Sequence, residues 1–309
     1  MRYLIMGAGA LGTVFGGLLQ QAGHPVAFLG RGAHFQQLTT KGGLIDGIWG
    51  GYRLAPVALP RPGDLYDVIF LTVKSFDTAA ALRRVVTMAA PDGLVVSLQN
   101  GLGNIEIIAQ ECGAWRTIGG RVIFGAQVAE PGRVSVTVYA DRVLIGAVDS
   151  RAPAAKLALV SQHLNEAGIP TAVVMDIVSH LWGKALYNCA LNPLGAVLGV
   201  PYGALGDHPE TRELMRLIIE EIYQVAQAKG VDLPIAKPDD YFRHFLENLV
   251  PPTAAHWPSM WQDLQAGRPT EIEALNGAMC RYGEEFGVPT PYNDAVTRLV
   301  RFRQSHPAG

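Results

Sequence analysis

The stretch "RYLIMGAGALGTVFGGLLQQAG", residues 2–23, decides the fold. Its opening apolar run reads as a short strand, and helical spacing takes over across roughly residues 10–22. Between them Gly7, Gly9 and Gly12 stand at G-x-G-x-x-G spacing. One such glycine makes the tight turn, one lets backbone approach a pyrophosphate, and one lets the helix pack on the strand. The phosphates then face unpaired N–H groups at the helix N-terminus. A dinucleotide site is expected here, built from Gly7, Gly9, Ala10, Leu11 and Gly12. A basic start followed by an apolar run also describes a signal peptide. The loop glycines, with Gly16 and Gly17, argue against a continuous apolar helix.

Working outward, "PVAFLG" (25–30) reads as a second strand, and "DVIFLTV" (67–73) and "LVVSLQ" (94–99) as strands buried on both faces of a parallel sheet. "DTAAALRRVVTMAA" between them has helical spacing. From about residue 117 short strands follow, with "EPGR" (130–133) as a hairpin turn. After "GIPTAVVM" the pattern turns helical, and the helices of 210–230 and 269–287 both close at glycine. The expected fold is α/β. A Rossmann-type, doubly wound dinucleotide-binding domain spans 1–175, and an all-α-helical substrate and catalytic domain spans 176–309.

Of the 309 residues, 49% are hydrophobic and 17% charged, enough apolar material for two globular cores. A net charge of -2 gives no electrostatic case for nucleic acid or an anionic membrane. No other stretch is apolar and long enough to span a bilayer. Cys112, Cys189 and Cys280 are odd in number and far apart, which suits a reduced, cytoplasmic setting. No zinc-type cysteine spacing occurs and no metal is expected. A homodimer is left open.

A chain preferring NAD usually carries Asp or Glu about 20 residues past the glycine loop. "AFLGRGAHF" has none and offers Arg31, whose forked donors suit a 2′-phosphate, so NADP(H) is favoured over a merely solvated arginine. Lys74 in "VKS" and Asn100 in "QNG" end further strands, where ligands of open α/β sheets bind. Asn-Gly is equally an ordinary turn pair, and most lysines are only solvated.

The segment "HLWGKALYNCALNP" (180–193) places Lys184, Asn188 and Asn192 within an arc of about 80° on one side of an apolar helix. A lone lysine there snorkels to water. Amides are costly to bury unbonded, so two in register with it imply a polar groove or a ligand. A desolvated lysine can donate a proton near neutral pH. Pro193 predicts a helix end or kink near Asn192. In "PSMWQDLQAGRPTEIEALNGA" (258–278), Thr270 and Glu273 form a potential capping box. That leaves Glu271 free to point elsewhere, although the helix dipole alone favours an acid there.

Taken together, "GAGALG", "VKSFDT", "QNGLGN", "LWGKALYNCALNP" and "SMWQDLQAGRPTEIEALNG" resemble the ketopantoate reductase family (2-dehydropantoate 2-reductases) over almost the whole chain. The resemblance implies NADPH-dependent reduction of the 2-keto group of 2-dehydropantoate to (R)-pantoate, towards pantothenate and coenzyme A. It implies Lys184 as the general acid and Glu271 as the carboxylate partnering that lysine or the substrate. Asn100 stands at the cofactor–substrate junction, and Asn188, Asn192 and Ser259 bind substrate together with Lys184. Arg31 and Lys74 contact the cofactor, and the family's site lies in the cleft between a Rossmann-type and a helical domain. The chain departs from the family pattern in "VSVTVYADRVLIG" (134–146), which lacks a His-Thr-Gly motif common there, and in Trp257, Pro258 and Trp261 around Ser259. That bulk makes another branched 2-keto acid the alternative substrate. A non-catalytic NADP(H) sensor is the alternative class, and the presence of Lys184, Asn188 and Glu271 counts against it.

Overall fold

A computed structural model describes residues 1–306. The chain divides into two compact units. One comprises residues 1–99 and 104–177, and the other comprises Asn100–Gly103 and the chain from Val178 onward. The last three residues of the expected 176–309 domain lie outside the described residues.

The first unit runs β1 (Tyr3–Met6), α1 (Ala10–Gln21), β2 (Val26–Leu29), α2 (Gly32–Thr40), β3 (Gly43–Gly47), β4 (Tyr52–Leu54), β5 (Tyr66–Leu71) and α3 (Thr78–Val85). It continues through β6 (Ala89–Ser97), α4 (Asn104–Cys112), β7 (Thr117–Arg121), β8 (Phe124–Glu130), β9 (Arg133–Tyr139), β10 (Val143–Ala147), α5 (Ala154–Glu166) and β11 (Thr171–Val173). Seven strands form the main sheet in the order β11-β10-β7-β6-β5-β1-β2.

Its central strands are buried on both faces, and their alternation feeds two separate cores. Tyr3, Ile5, Val68 and Phe70 enter one core with Phe15 and Leu19 of α1 and Val160 of α5. Leu4, Ile69 and Leu71 enter the other with Leu82 of α3 and Ile108 of α4. Each such side chain contributes about 1.5–3 kcal/mol on burial. This is the helix-sheet-helix layering that the apolar runs imply.

The main sheet is not wholly parallel: β10 pairs antiparallel with β7. A parallel return needs a crossover, usually helical. Between β7 and β10 the chain supplies only the β8–β9 hairpin, turning at Gly132 with φ +86°. That hairpin joins a second sheet, β4-β3-β9-β8, absent from the expected architecture. Helix α1 lies between the two sheets, and the glycine pair shows how. A Cβ on Gly16 would strike Phe28 and Ile5 of the main sheet, and one on Gly17 would strike Leu54 and Ile45 of the small one.

The second unit is helical: α6 (Ile177–Leu198), α7 (Tyr202–Asp207), α8 (Pro209–Lys229), α9 (Pro238–His244), α10 (Ser259–Gln265), α11 (Asn276–Phe286) and α12 (Pro291–Ser305). Helices α8 and α11 stop at left-handed Gly230 and Gly287. Among the described residues no helix is long and apolar enough to cross a membrane.

Two expected local features do not occur: the helix end near Asn192, one of the two alternatives for Pro193, and the capping box. Helix α6 does not end near Asn192 but continues past Pro193 to Leu198. Proline removes the N–H that would reach the carbonyl four residues back, that of Cys189. Asn276 Nδ2 donates to that carbonyl at 3.1 Å and replaces the lost bond. The capping box also does not form. Glu273 pairs instead with Arg301 at 2.7 Å, and α11 starts only at Asn276 after a 3₁₀ turn over Ile272–Ala274.

Candidate functional site

In the first unit the glycine loop follows β1 directly. Gly7 has φ +118°, and a Cβ there would lie 2.6 Å from Val73 N. A Cβ on Gly12 would lie 2.0 Å from the Gly7 carbonyl oxygen. Both glycines are therefore demanded by close packing. Gly9 is different: a Cβ there meets nothing within 4 Å. Its φ of -86° suits any residue, so neither packing nor backbone asks for glycine. The open space lies at the N-cap of α1, which carries no side-chain cap and no acid in its first turn. Uncapped N–H groups beside clear space fit the pyrophosphate of a dinucleotide. Ala10 and Leu11 are the first helical residues of α1. Thr72, overlooked in the sequence, fixes the loop by donating to the Gly7 carbonyl at 2.6 Å.

Arg31 caps the start of α2 with its side chain 87% exposed, and its guanidinium donates to Asp77 at 2.9 Å. An exposed pair of this kind is worth about 0–1 kcal/mol, so it yields readily to a phosphate. Lys74 is half-buried at the start of the 3₁₀ turn Ser75–Asp77 that follows β5.

A buried polar chain organises the residues after β6. Gln99 donates to the Val73 carbonyl at 3.0 Å and to Thr78 Oγ1 at 2.7 Å, and Thr78 donates to Asn104 Oδ1 at 2.8 Å. Sequence reading stopped at Asn100 and missed these neighbours. The only signal was a run of polar residues at a strand end.

Residues 100–103 belong to the second unit. Leu102 N donates to the Ala274 carbonyl at 2.7 Å, and Gly101 at φ +80° sits where a Cβ would meet Ala274. This seating brings Asn100 Oδ1 to Lys184 Nζ, 2.5 Å apart. Lys184 and Asn188 are half-buried on α6, and Asn192 is buried. Asn188 makes no side-chain hydrogen bond among the described residues. Asn192 is committed to the protein: its Nδ2 donates to Ser259 Oγ at 3.2 Å, and its Oδ1 accepts from Met260 N at 3.1 Å. It fixes the first turn of α10 and with it the Ser259 hydroxyl. Glu271 is buried, 9% exposed, just before the 3₁₀ turn Ile272–Ala274. Trp257 and Trp261 flank Ser259 in sequence and pack on one another, centroids 4.4 Å apart. Lys184 and Asn100 are thus brought together, as are Asn192 and Ser259.

Two family models match, "Ketopantoate reductase PanE/ApbA" over residues 3–150 and its C-terminal counterpart over residues 176–304. The chain belongs to the ketopantoate reductase family. That is a family of NADP-dependent oxidoreductases. This family member is 37% identical to the 2-dehydropantoate 2-reductase of Aquifex aeolicus, covering 98% of this chain and 97% of the relative. It is 35% identical to that of Archaeoglobus fulgidus, covering 97% of each. Among solved structures it is similar to a PanE/ApbA family ketopantoate reductase from Ralstonia eutropha, with 30% identity, TM-score 0.86 and 99% of both chains covered. It is also similar to D-mandelate dehydrogenase in a ternary structure with NADH and anilino(oxo)acetate, with 28% identity and TM-score 0.89, covering 99% of this chain and 98% of that one.

Proposed function

We propose that this ketopantoate reductase family member reduces 2-dehydropantoate to (R)-pantoate with NADPH, with Lys184 as general acid. The observation that carries the reading is the Lys184 amine held by Asn100 at 2.5 Å, on the same helix face as the uncommitted Asn188 amide. The names of the relatives supply the substrate.

When bound, the reduced nicotinamide supplies the hydride that the keto carbon takes up. The chain's own residues do the rest. Negative charge grows on the carbonyl oxygen, and the Lys184 ammonium stabilises it and gives up a proton. An N–H bond breaks, an O–H bond forms, and a neutral amine remains to be reprotonated from solvent. Proton donation of this kind contributes about 10²–10⁴ in rate. The Asn100 carbonyl oxygen accepts from Nζ and aims its remaining hydrogens. Asn188 and Ser259 hold the substrate, Asn192 positions Ser259, and Glu271 is the carboxylate facing the lysine or the substrate. Gly7, Gly9, Ala10, Leu11 and Gly12 receive the pyrophosphate, Arg31 the 2′-phosphate, and Lys74 contacts the cofactor.

A second reading, a bulkier 2-keto acid, is favoured by the Trp257–Trp261 pair and by the likeness to D-mandelate dehydrogenase. One assay separates the two: oxidation of NADPH and of NADH with 2-dehydropantoate, beside branched and aryl 2-keto acids, with Lys184→Ala as control. Turnover highest with 2-dehydropantoate and NADPH, lost in the control while NADPH still binds, is the expected result. Preference for an aryl 2-keto acid establishes the second reading, and no turnover with any acid sinks both.

A further inference from the structure

His24, His163 and Glu166 form a cluster apart from the glycine loop. A ring nitrogen of each histidine and a carboxylate oxygen of Glu166 all lie within 4.8 Å of one another. His24 is in the turn between α1 and β2, and His163 and Glu166 stand three apart on α5, on one face of that helix. All belong to the first unit. Tyr3 opens β1 and His24 directly precedes the Pro25–Val26 start of β2, so the cluster sits at the amino edge of the parallel strands. The glycine loop leaves the opposite, carboxyl edge.

From this the geometry points to a site for a single borderline divalent cation of the Zn²⁺ class, held by His24, His163 and Glu166. Two imidazoles and a carboxylate with a solvent molecule in fourth place make a tetrahedral set suited to zinc. Tyr3 supplies the supporting contact that such sites require. Its hydroxyl lies 2.7 Å from His163 Nδ1, which fixes the ring and leaves Nε2 for the ion. The Glu166 carboxylate accepts from Gln162 Nε2 at 2.8 Å and has a second oxygen to offer. The two imidazole rings are stacked, centroids 4.1 Å apart and planes at 26°. Capture therefore turns the His24 ring, on its exposed turn, until its lone pair meets the ion. Burial pushes both imidazoles below their ordinary pKa, and His163 adds to this at His24, so both lone pairs are available at neutral pH. A bound ion would tie α5 to the α1–β2 turn.

The test uses the full chain, free of any histidine tag, stripped with a chelator and titrated with Co²⁺ and then Zn²⁺. One equivalent of Co²⁺ should give a visible absorption band that Zn²⁺ displaces, and Zn²⁺ but not Mg²⁺ should raise Tm. His24→Ala and His163→Ala should each remove the band and the Tm shift. Glu166→Gln should weaken Co²⁺ binding, and Tyr3→Phe should weaken it by about 10–100-fold. His24 is half-buried on a turn and Glu166 is exposed, so far-UV dichroism of their variants should match the parent. Absence of saturable Co²⁺ binding, or binding that survives His24→Ala and Glu166→Gln unchanged, overturns the site.

Discussion

Glycines at 7, 9 and 12 look alike in the sequence and differ in what they prevent. Gly12→Ala should lower stability by about 2 kcal/mol or more, because the added methyl meets the Gly7 carbonyl. Gly9→Ala adds a methyl to clear space on an ordinary backbone, so stability should stay within about 0.5 kcal/mol of the parent. NADPH affinity should nevertheless fall by about tenfold, about 1.4 kcal/mol. Thermal melts and NADPH titrations on the two variants check the contrast, and a large loss of Tm in Gly9→Ala would contradict it. Arg31→Ala should weaken NADPH more than NADH, and equal losses would remove Arg31 from the 2′-phosphate. Spacing and residue type made Lys184, Asn188 and Arg31 candidates. They could not announce Thr72 or Gln99, whose roles depend on carbonyls that only the folded loop presents.

At the level of elements, Pro193 and Asn276 form a compensating pair. Asn276→Ala leaves the Cys189 carbonyl buried without a donor and should cost about 1–3 kcal/mol. Pro193→Ala in that background restores a backbone N–H to the same carbonyl. A double-mutant cycle by denaturant unfolding should therefore show a clear coupling energy, and strictly additive losses would refute the pairing. Glu221 of α8 plays a similar part for α12. Its carboxylate accepts from Tyr292 N at 2.9 Å, Asn293 N at 3.0 Å and Asn293 Nδ2 at 2.7 Å. Glu221→Ala should destabilise by about 3 kcal/mol. The helices themselves were readable from apolar spacing and terminal glycines. The continuity of α6 was not, because the donor that rescues it comes from a residue far along the chain. The capping box failed for the converse reason: Arg301, remote in sequence, outcompetes the local backbone for Glu273.

Across the whole molecule, four partly buried histidines should weaken the fold as the pH drops below neutral. Burial lowers the pKa of His24, His34, His163 and His256. His34 shows the structural counterpart: its Nδ1 accepts from Gly132 N at 3.0 Å, so a proton there breaks the bond. Unfolded histidines take up protons near pH ~6.5 while the folded ones resist. Stability should be full above that pH and fall as the pH drops below it toward the lowered folded values. Melts from pH 7.5 to 5 should show the decline, and His34→Gln, whose amide oxygen can still accept from Gly132 N, should flatten part of it. A flat Tm over that range would contradict the assignment. The α/β-then-α organisation was legible because buried strands and amphipathic helices write different periods. The small sheet was not, since β3 and β4 are only five and three residues long, and β9, which pairs with β3, lies far downstream.

The seating of residues 100–103 has a consequence for how the protein is made. Asn100 leaves the ribosome well before Ala274, whose carbonyl anchors its loop, 174 residues further along. Until that codon is read, Leu102 has no acceptor and Asn100 has no fixed place beside Lys184. The main sheet can be complete while synthesis is still under way. The pairing proposed to move the proton is settled only once residue 274 has been added, so a nascent chain has its glycine loop long before it has that pairing.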